Sequence, residues 1–214
     1  VAIREEKDAA PEERKIREIN VGVYCARKEA LFSALREVPL NAKKKEYYLT
    51  DVIAILAQRG ARIETVETPD AMEGVGINSR EDLAVAERIL RFRVLRKLML
   101  SGVTIVDPAT TYIDGRARIG QDTIIHPCTV IEGNVTIGEQ CVIGPFARIR
   151  PGTKIGNRVQ IGNFAEVSRS VMGDQSFMKH FSFLGDARLG ANVNIGAGVV
   201  TANYDGKNKN QTRV

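Results

Sequence analysis

Aliphatic side chains recur at every sixth position through the second half of this chain. Ile113, Ile119, Ile125, Ile131, Ile137, Ile143, Ile149, Ile155, Ile161 and Val167 form one unbroken series. The frame then slips by one residue to Met172, Met178 and Leu184, and again to Leu189, Ile195 and Thr201. A helix repeats at 3.6 residues and a half-buried strand at two, so neither alone accounts for a period of six. The hexapeptide unit of a parallel β-helix does. Each unit supplies a short strand with one aliphatic pointing into the stack, followed by a tight turn. Three units close a triangular coil of about eighteen residues, and stacked coils bury a ladder that no single coil can bury. Nine of the 19 glycines directly follow a frame aliphatic: Gly120, Gly138, Gly144, Gly156, Gly162, Gly173, Gly185, Gly190 and Gly196. That placement predicts turns needing glycine's backbone angles or close approach. The period leaves the hand of the coil open.

Upstream, Ser79 with Asp82 three residues later matches a capping box. Val85, Ile89, Phe92, Leu95 and Met99 then give one apolar stripe, which predicts a long amphipathic helix over 79–100. Arg91, Arg93, Arg96 and Lys97 flank the stripe and read as a solvated face. Residues 1–78 mix α and β signals. VGVYCA and ARIETVETP read as strands, KEALFSALREV and the apolar positions of YYLTDVIAILAQRG as helices. These are too few strands for a complete doubly wound sheet. With Val1 at the start and an interrupted pattern at Val214, the expectation is a piece of a longer protein.

Composition narrows the function classes. No apolar run approaches the ~20 residues of a membrane helix, and no secretory leader opens the chain. Cys25, Cys128 and Cys141 are odd in number and lack CxxC spacing, which argues against a disulfide framework or zinc site and for a reducing cytoplasm. The net charge of +5 comes without a nucleic-acid-binding motif, so neither nucleic acid nor membrane is expected as a partner. Anionic small substrates suit the charge.

The succession EINVGVY, EYYLTDVI, EGVGINSREDLAVAE, LMLSGVTIVDPATTYID, IGPFARIRPGTKIG, IGNFAEV and LGDARLGANVNIGAGVVTANYDGKNK carries a resemblance. It is similar, in order and over essentially the whole chain, to the bacterial bifunctional N-acetylglucosamine-1-phosphate uridyltransferases and glucosamine-1-phosphate acetyltransferases. The resemblance implies the end of a nucleotidyltransferase domain over 1–78, a linker helix over 79–100, and a left-handed β-helix acetyltransferase domain over 101–214. It also implies a cytoplasmic homotrimer making UDP-N-acetylglucosamine for cell-wall precursors, with glucosamine 1-phosphate, acetyl-CoA and UTP as small-molecule substrates.

Acetylating an amine requires a base to take the ammonium proton, a hold on the acceptor and a donor for the developing oxyanion. Histidine is the natural base near neutral pH. By the resemblance, His180 is that base and Glu166 orients it. Arg150, Asn194 and Lys209 bind the sugar phosphate, while Ala197, Asn203 and Tyr204 contact acetyl-CoA. An N–H near Ala197 suits the oxyanion. His126 lacks such company and reads as a turn residue. Glu5, Asn20 and Asn78 match residues that bind UDP-N-acetylglucosamine, and Asn78 matches a ligand of Mg²⁺, which needs a carboxylate partner.

Three positions depart from the family pattern: Ser168 stands for a usual lysine, Phe183 for a usual tyrosine and Val21 for a usual threonine. The β-helix between the linker and His180 is expected to be shorter by about two coils. Two other readings stay open: a nucleotidyltransferase whose β-helix only trimerises it, and a non-catalytic β-helix module.

Overall fold

The computed structural model describes residues 2–42 and 44–214, with the side chain of Lys7 left out. Lys43 and Val1 lie outside the described residues. The chain divides into two compact units, Val1–Asn78 and Ser79–Val214.

In the first unit, α1 (Lys28–Leu35) and α2 (Asp51–Gln58) form where helical patterning predicted them. Ala34, Val38 and Val52 make its small buried core, with Leu31, Ile55 and Leu56 against it. The strands expected at VGVYCA and ARIETVETP do not form. Among the described residues of this unit the strands are β1 (Leu40–Asn41) and β2 (Glu46–Tyr47), which pair with each other. A strand exists only where a partner takes up its backbone groups. Without one, Val23 and Val66 stay exposed.

The second unit opens with α3 (Arg80–Leu100). Its capping box is formed: Asp82 N–H donates to Ser79 Oγ at 3.1 Å, and Ser79 N–H donates to the Asp82 carboxylate at 2.8 Å. Only the last turns of the expected stripe are covered. Leu95 is fully buried, with Leu98 and Met99 packed beside it, whereas Val85 and Phe92 remain exposed. Arg91 is not a solvated cation. Its guanidinium lies 4.1 Å from the Tyr112 ring centroid and donates to the Ala109 carbonyl at 2.9 Å, fastening the helix to the first coil.

The six-residue period becomes a parallel β-helix with three faces. One face stacks β3 (Thr104–Ile105), β6 (Ile124–Ile125), β9 (Val142–Ile143), β12 (Gln160–Ile161) and β15 (Phe177–Met178). A second stacks β4 (Tyr112–Ile113), β7 (Val130–Ile131), β10 (Arg148–Ile149), β13 (Ala165–Ser168) and β16 (Ser182–Gly185). The third runs through β5 (Arg118–Ile119), β8 (Thr136–Ile137), β11 (Lys154–Ile155), β14 (Val171–Met172), β17 (Ala187–Leu189) and β18 (Thr212–Arg213). Frame residues stand in register: Ile125 on Ile143, Ile143 on Ile161 and Ile161 on Met178, each buried.

The frame slips have a local cause. In an ordinary corner the left-handed residue comes three after the aliphatic, as with Gly152 (φ 80°) after Ile149. After Val167 and Leu184 it comes two after, at Arg169 (φ 48°) and Asp186 (φ 51°). The corner there is one residue shorter, so the stacked residues are Ile155 on Met172 and Met172 on Leu189.

Close approach, one of the two uses expected of the frame glycines, is met; special backbone angles mostly are not. Of the nine frame glycines only Gly144 has a positive φ. Most left-handed corners fall instead to side-chain-bearing residues such as Asn134 (φ 59°) and Phe164 (φ 56°), with Gly152 and Gly198 at two others. What several frame glycines provide is room between coils. A β-carbon on Gly120 would stand 2.7 Å from the Gly138 carbonyl, and one on Gly173 would stand 2.5 Å from that of Gly190. Among the described residues, no helix is long and apolar enough to cross a membrane.

Candidate active site

His180 leaves the first face three residues beyond β15's Phe177 and two beyond its Met178. One coil further on, Asn194 bridges in parallel to Phe177. The two coils leave an open groove of about 450 Å³, lined by Phe177, Lys179, His180, Asn192, Asn194, Ile195 and Gly196. Ligand clefts run from about 300 to 1,000 Å³. The imidazole is exposed at its edge, and the Lys179 ammonium lies 4.9 Å from the Phe177 ring centroid.

Glu166 and Arg150 meet on the second face. Glu166 stacks on Arg148 from the coil before and under Phe183 from the coil after. Its carboxylate accepts from Arg150 Nη1 at 2.9 Å, with both side chains about one-third exposed. The Arg150 Nε is buried and has no hydrogen-bond partner. Glu166 makes no hydrogen bond to His180, so its expected orienting role has no direct contact behind it. The nearest full positive charge, one coil below, has claimed the carboxylate.

Asn203 and Lys209 gather around an acid that the sequence reading passed over. Asp186 accepts a two-pronged contact from Arg169 (2.7 and 2.9 Å) and a third hydrogen bond from the Asn203 amide at 2.5 Å. Arg169 also donates to Ser168 Oγ at 2.9 Å, so that hydroxyl is fully buried and bonded. Hydrogen bonding from Arg169 lowers the Asp186 pKa to about 2; the Asn203 bond and the charges of Arg169 and Lys209 add to this, against burial.

The other expected contacts are more open. Ala197 is exposed, and among the described residues no acceptor takes its N–H. Tyr204 is exposed and donates to the Gly206 carbonyl at 2.7 Å, and its backbone bridges to exposed Lys209. His126 sits at a corner with its N–H on the Ile143 carbonyl.

Within the first unit, Asn20 is spent on its own turn: it donates to the Tyr24 hydroxyl at 2.7 Å and accepts from Gly22 N–H at 3.2 Å. Glu5 is exposed and precedes a turn of 3₁₀ helix at Glu6–Asp8. Asn78 is exposed and already engaged. Among the described residues no group of three His, Cys, Asp or Glu side chains is placed to hold a metal ion. One amide oxygen does not suit Mg²⁺, which is held through carboxylates. The residues present therefore do not fit the Mg²⁺ implied by the resemblance.

Residues 116–151 and 134–169 match the family described as bacterial transferase hexapeptide (six repeats). The bifunctional protein GlmU of Geobacillus sp. (strain WCH70) is 46% identical over 245 aligned positions, taking in 99% of this chain and 53% of that protein. The chain is a relative of GlmU. The GlmU of Pelotomaculum thermopropionicum is 44% identical over 248 positions, covering 100% of this chain and 54% of its own length. The chain thus spans about half the length of the curated GlmU proteins it matches. The 245 aligned positions exceed the 214 residues present, so the alignment carries gaps in this chain. Among solved structures, the acetyltransferase domain of PglB from Neisseria gonorrhoeae FA1090 has a TM-score of 0.35 and 14% identity. It covers 52% of this chain and 60% of that one, too loose a likeness to carry an argument.

The groove was legible in part. His180 and Asn194 were expected in it; Phe177, Lys179 and Asn192 were not. Lys179 stands directly before the histidine, which is the signal that was there to use. Asp186 lies inside the LGD of the quoted motif, but its partners Arg169 and Asn203 are each 17 residues away.

Proposed function

We propose that the second unit transfers the acetyl group of acetyl-CoA to the amino group of glucosamine 1-phosphate. The observation that carries this reading is the groove shared by His180 and Asn194 in a chain 46% identical to GlmU. His180 takes a proton from the acceptor's ammonium. The freed nitrogen attacks the thioester carbonyl carbon and gives up a second proton as the C–S bond breaks, and the coenzyme thiolate leaves and takes up the proton held by His180. Asn194 holds the sugar, and the untaken N–H of Ala197 suits the oxyanion. Arg150, steadied by Glu166, and Lys209 serve the phosphate side. Tyr204 and Asn203 serve the coenzyme side, with Asn203 fixed by Asp186.

In the whole protein, this unit is one half of a bifunctional enzyme that goes on to transfer uridyl from UTP to N-acetylglucosamine 1-phosphate. Residues 1–78 are the end of that uridyltransferase domain, and α3 is the connection to it. We derive no uridyl-transfer step from Glu5, Asn20 or Asn78. The coil is read as left-handed, the assembly as a cytoplasmic homotrimer through the β-helix.

The test uses the full-length protein with acetyl-CoA and glucosamine 1-phosphate. His180→Ala is expected to lower turnover by at least about a hundredfold. Equal rates in wild type and variant would remove His180 from the chemistry. A second reading, the β-helix as a trimerising scaffold of a nucleotidyltransferase, is favoured by Phe183, which lacks a hydroxyl, and by Ser168, which is buried. Wild-type protein without acetyl transfer, but trimeric, would support it.

A further inference from the structure

We infer that Lys179 binds the phosphate of the acceptor in the His180 groove. This rests on the acetyl-transfer reading and adds the group that selects a phosphorylated amine over a neutral one.

Three observations converge on it. First, two arginines on adjacent coils already have carboxylate partners, while among the described residues Lys179 does not. Arg150 is paired with Glu166 at 2.9 Å, and Arg169 is forked onto Asp186 at 2.7 and 2.9 Å. The Lys179 ammonium lies over the Phe177 ring face, 4.9 Å from the centroid, which attracts a cation without cancelling its charge. Second, the groove it lines holds an imidazole and the amides of Asn192 and Asn194, but no acid. A cleft with one uncompensated positive charge and no negative one draws anions. Third, the backbone of Lys179 is fixed. Gly162 lies so close beneath it that any β-carbon there would overlap the Lys179 carbonyl, and Gly162 N–H donates to the Met178 carbonyl at 2.8 Å. The ammonium therefore projects from the residue next to the proposed base, on a backbone without slack. An amine offered to His180 brings a phosphate on the same small sugar within reach of a flexible four-carbon stem.

A phosphate monoester occurs both on the acceptor and on CoA, and the experiment separates the two. Lys179→Gln and Lys179→Arg are compared with wild type in the full-length protein. For Lys179→Gln, the KM for glucosamine 1-phosphate is expected to rise about tenfold or more. Its kcat should stay within about twofold, its KM for acetyl-CoA should not change, and turnover of phosphate-free glucosamine should equal wild type. Lys179→Arg should recover most of the loss. An unchanged KM for glucosamine 1-phosphate, a rise that falls on acetyl-CoA, or an equal loss with glucosamine each overturns the inference. Absence of acetyl transfer in wild type would sink the broader reading instead. The inference is then decided by titrating glucosamine 1-phosphate into wild type and Lys179→Gln and following binding by calorimetry. Binding weakened about tenfold by the substitution supports it, and equal or absent binding overturns it.

Discussion

Gly162 lies directly beneath Lys179, one coil below, with no space for a side chain between them. Gly162→Ala must push the Lys179–His180 corner outward. Overpacking of this kind costs about 1–3 kcal/mol, and a displaced base loses between about ten- and a hundredfold in rate. Gly190→Ala is the control. Its β-carbon meets nothing nearer than 3.7 Å, and its φ is not positive, so its unfolding midpoint should match wild type. Thermal unfolding of both variants, with acetyl-CoA turnover of the first, checks the pair.

Glu166 is bound to Arg150 and not to the imidazole, and this has a kinetic signature. Glu166→Gln should raise the KM for glucosamine 1-phosphate by about threefold or more through a loosened Arg150. The midpoint of the acid limb of kcat/KM should stay where it is. A downward shift of that midpoint on substitution would show the carboxylate acting on His180 after all.

Asp186 gives the β-helix an acid-sensitive brace. Its folded pKa is lowered from 3.8 to about 2, so it binds a proton more readily unfolded than folded. The stabilisation is complete above about pH 4 and is lost as the pH falls towards 2. Its size is about 1–2 kcal/mol once solvent screening is allowed for. Denaturant titrations between pH 2 and 5 should show Asp186→Asn with a flatter dependence on pH than wild type. Parallel curves would remove Asp186 as the cause.

Arg91 is expected to hold α3 on the first coil. Arg91→Ala removes both the Tyr112 ring contact and the bond to Ala109, at a cost of about 1–2 kcal/mol. Arg91→Lys should recover little, because an ammonium cannot stack flat on the ring while it reaches the carbonyl. Thermal unfolding of the two variants reads this directly.

The β-helix was legible because its signal is repetition. Ten aliphatics at one spacing leave a single way to bury them all, and burial follows at Ile125, Ile143 and Ile161. A second repeat went unread. Thr123, Ser170 and Ser176, each two residues before a frame aliphatic, are buried, and their hydroxyls bond to the backbone of the next coil. The first unit was less legible. Its helices carry their own periodicity, whereas VGVYCA needed a partner strand that the described residues do not supply.

By itself, then, the sequence determined the coil, its two short corners and the position of His180 just after the frame residue Met178. It did so because a period is a local property, written into consecutive residues. Which side chains pair across coils was decided only in three dimensions. Arg150 and Glu166 are 16 residues apart, and Arg169 and Asp186 are 17, distances at which one turn of the solenoid brings any two residues side by side. Stacking made neighbours of them, and charge chose the partners. That choice took Glu166 away from His180 and left Lys179 as the uncompensated cation lining its groove.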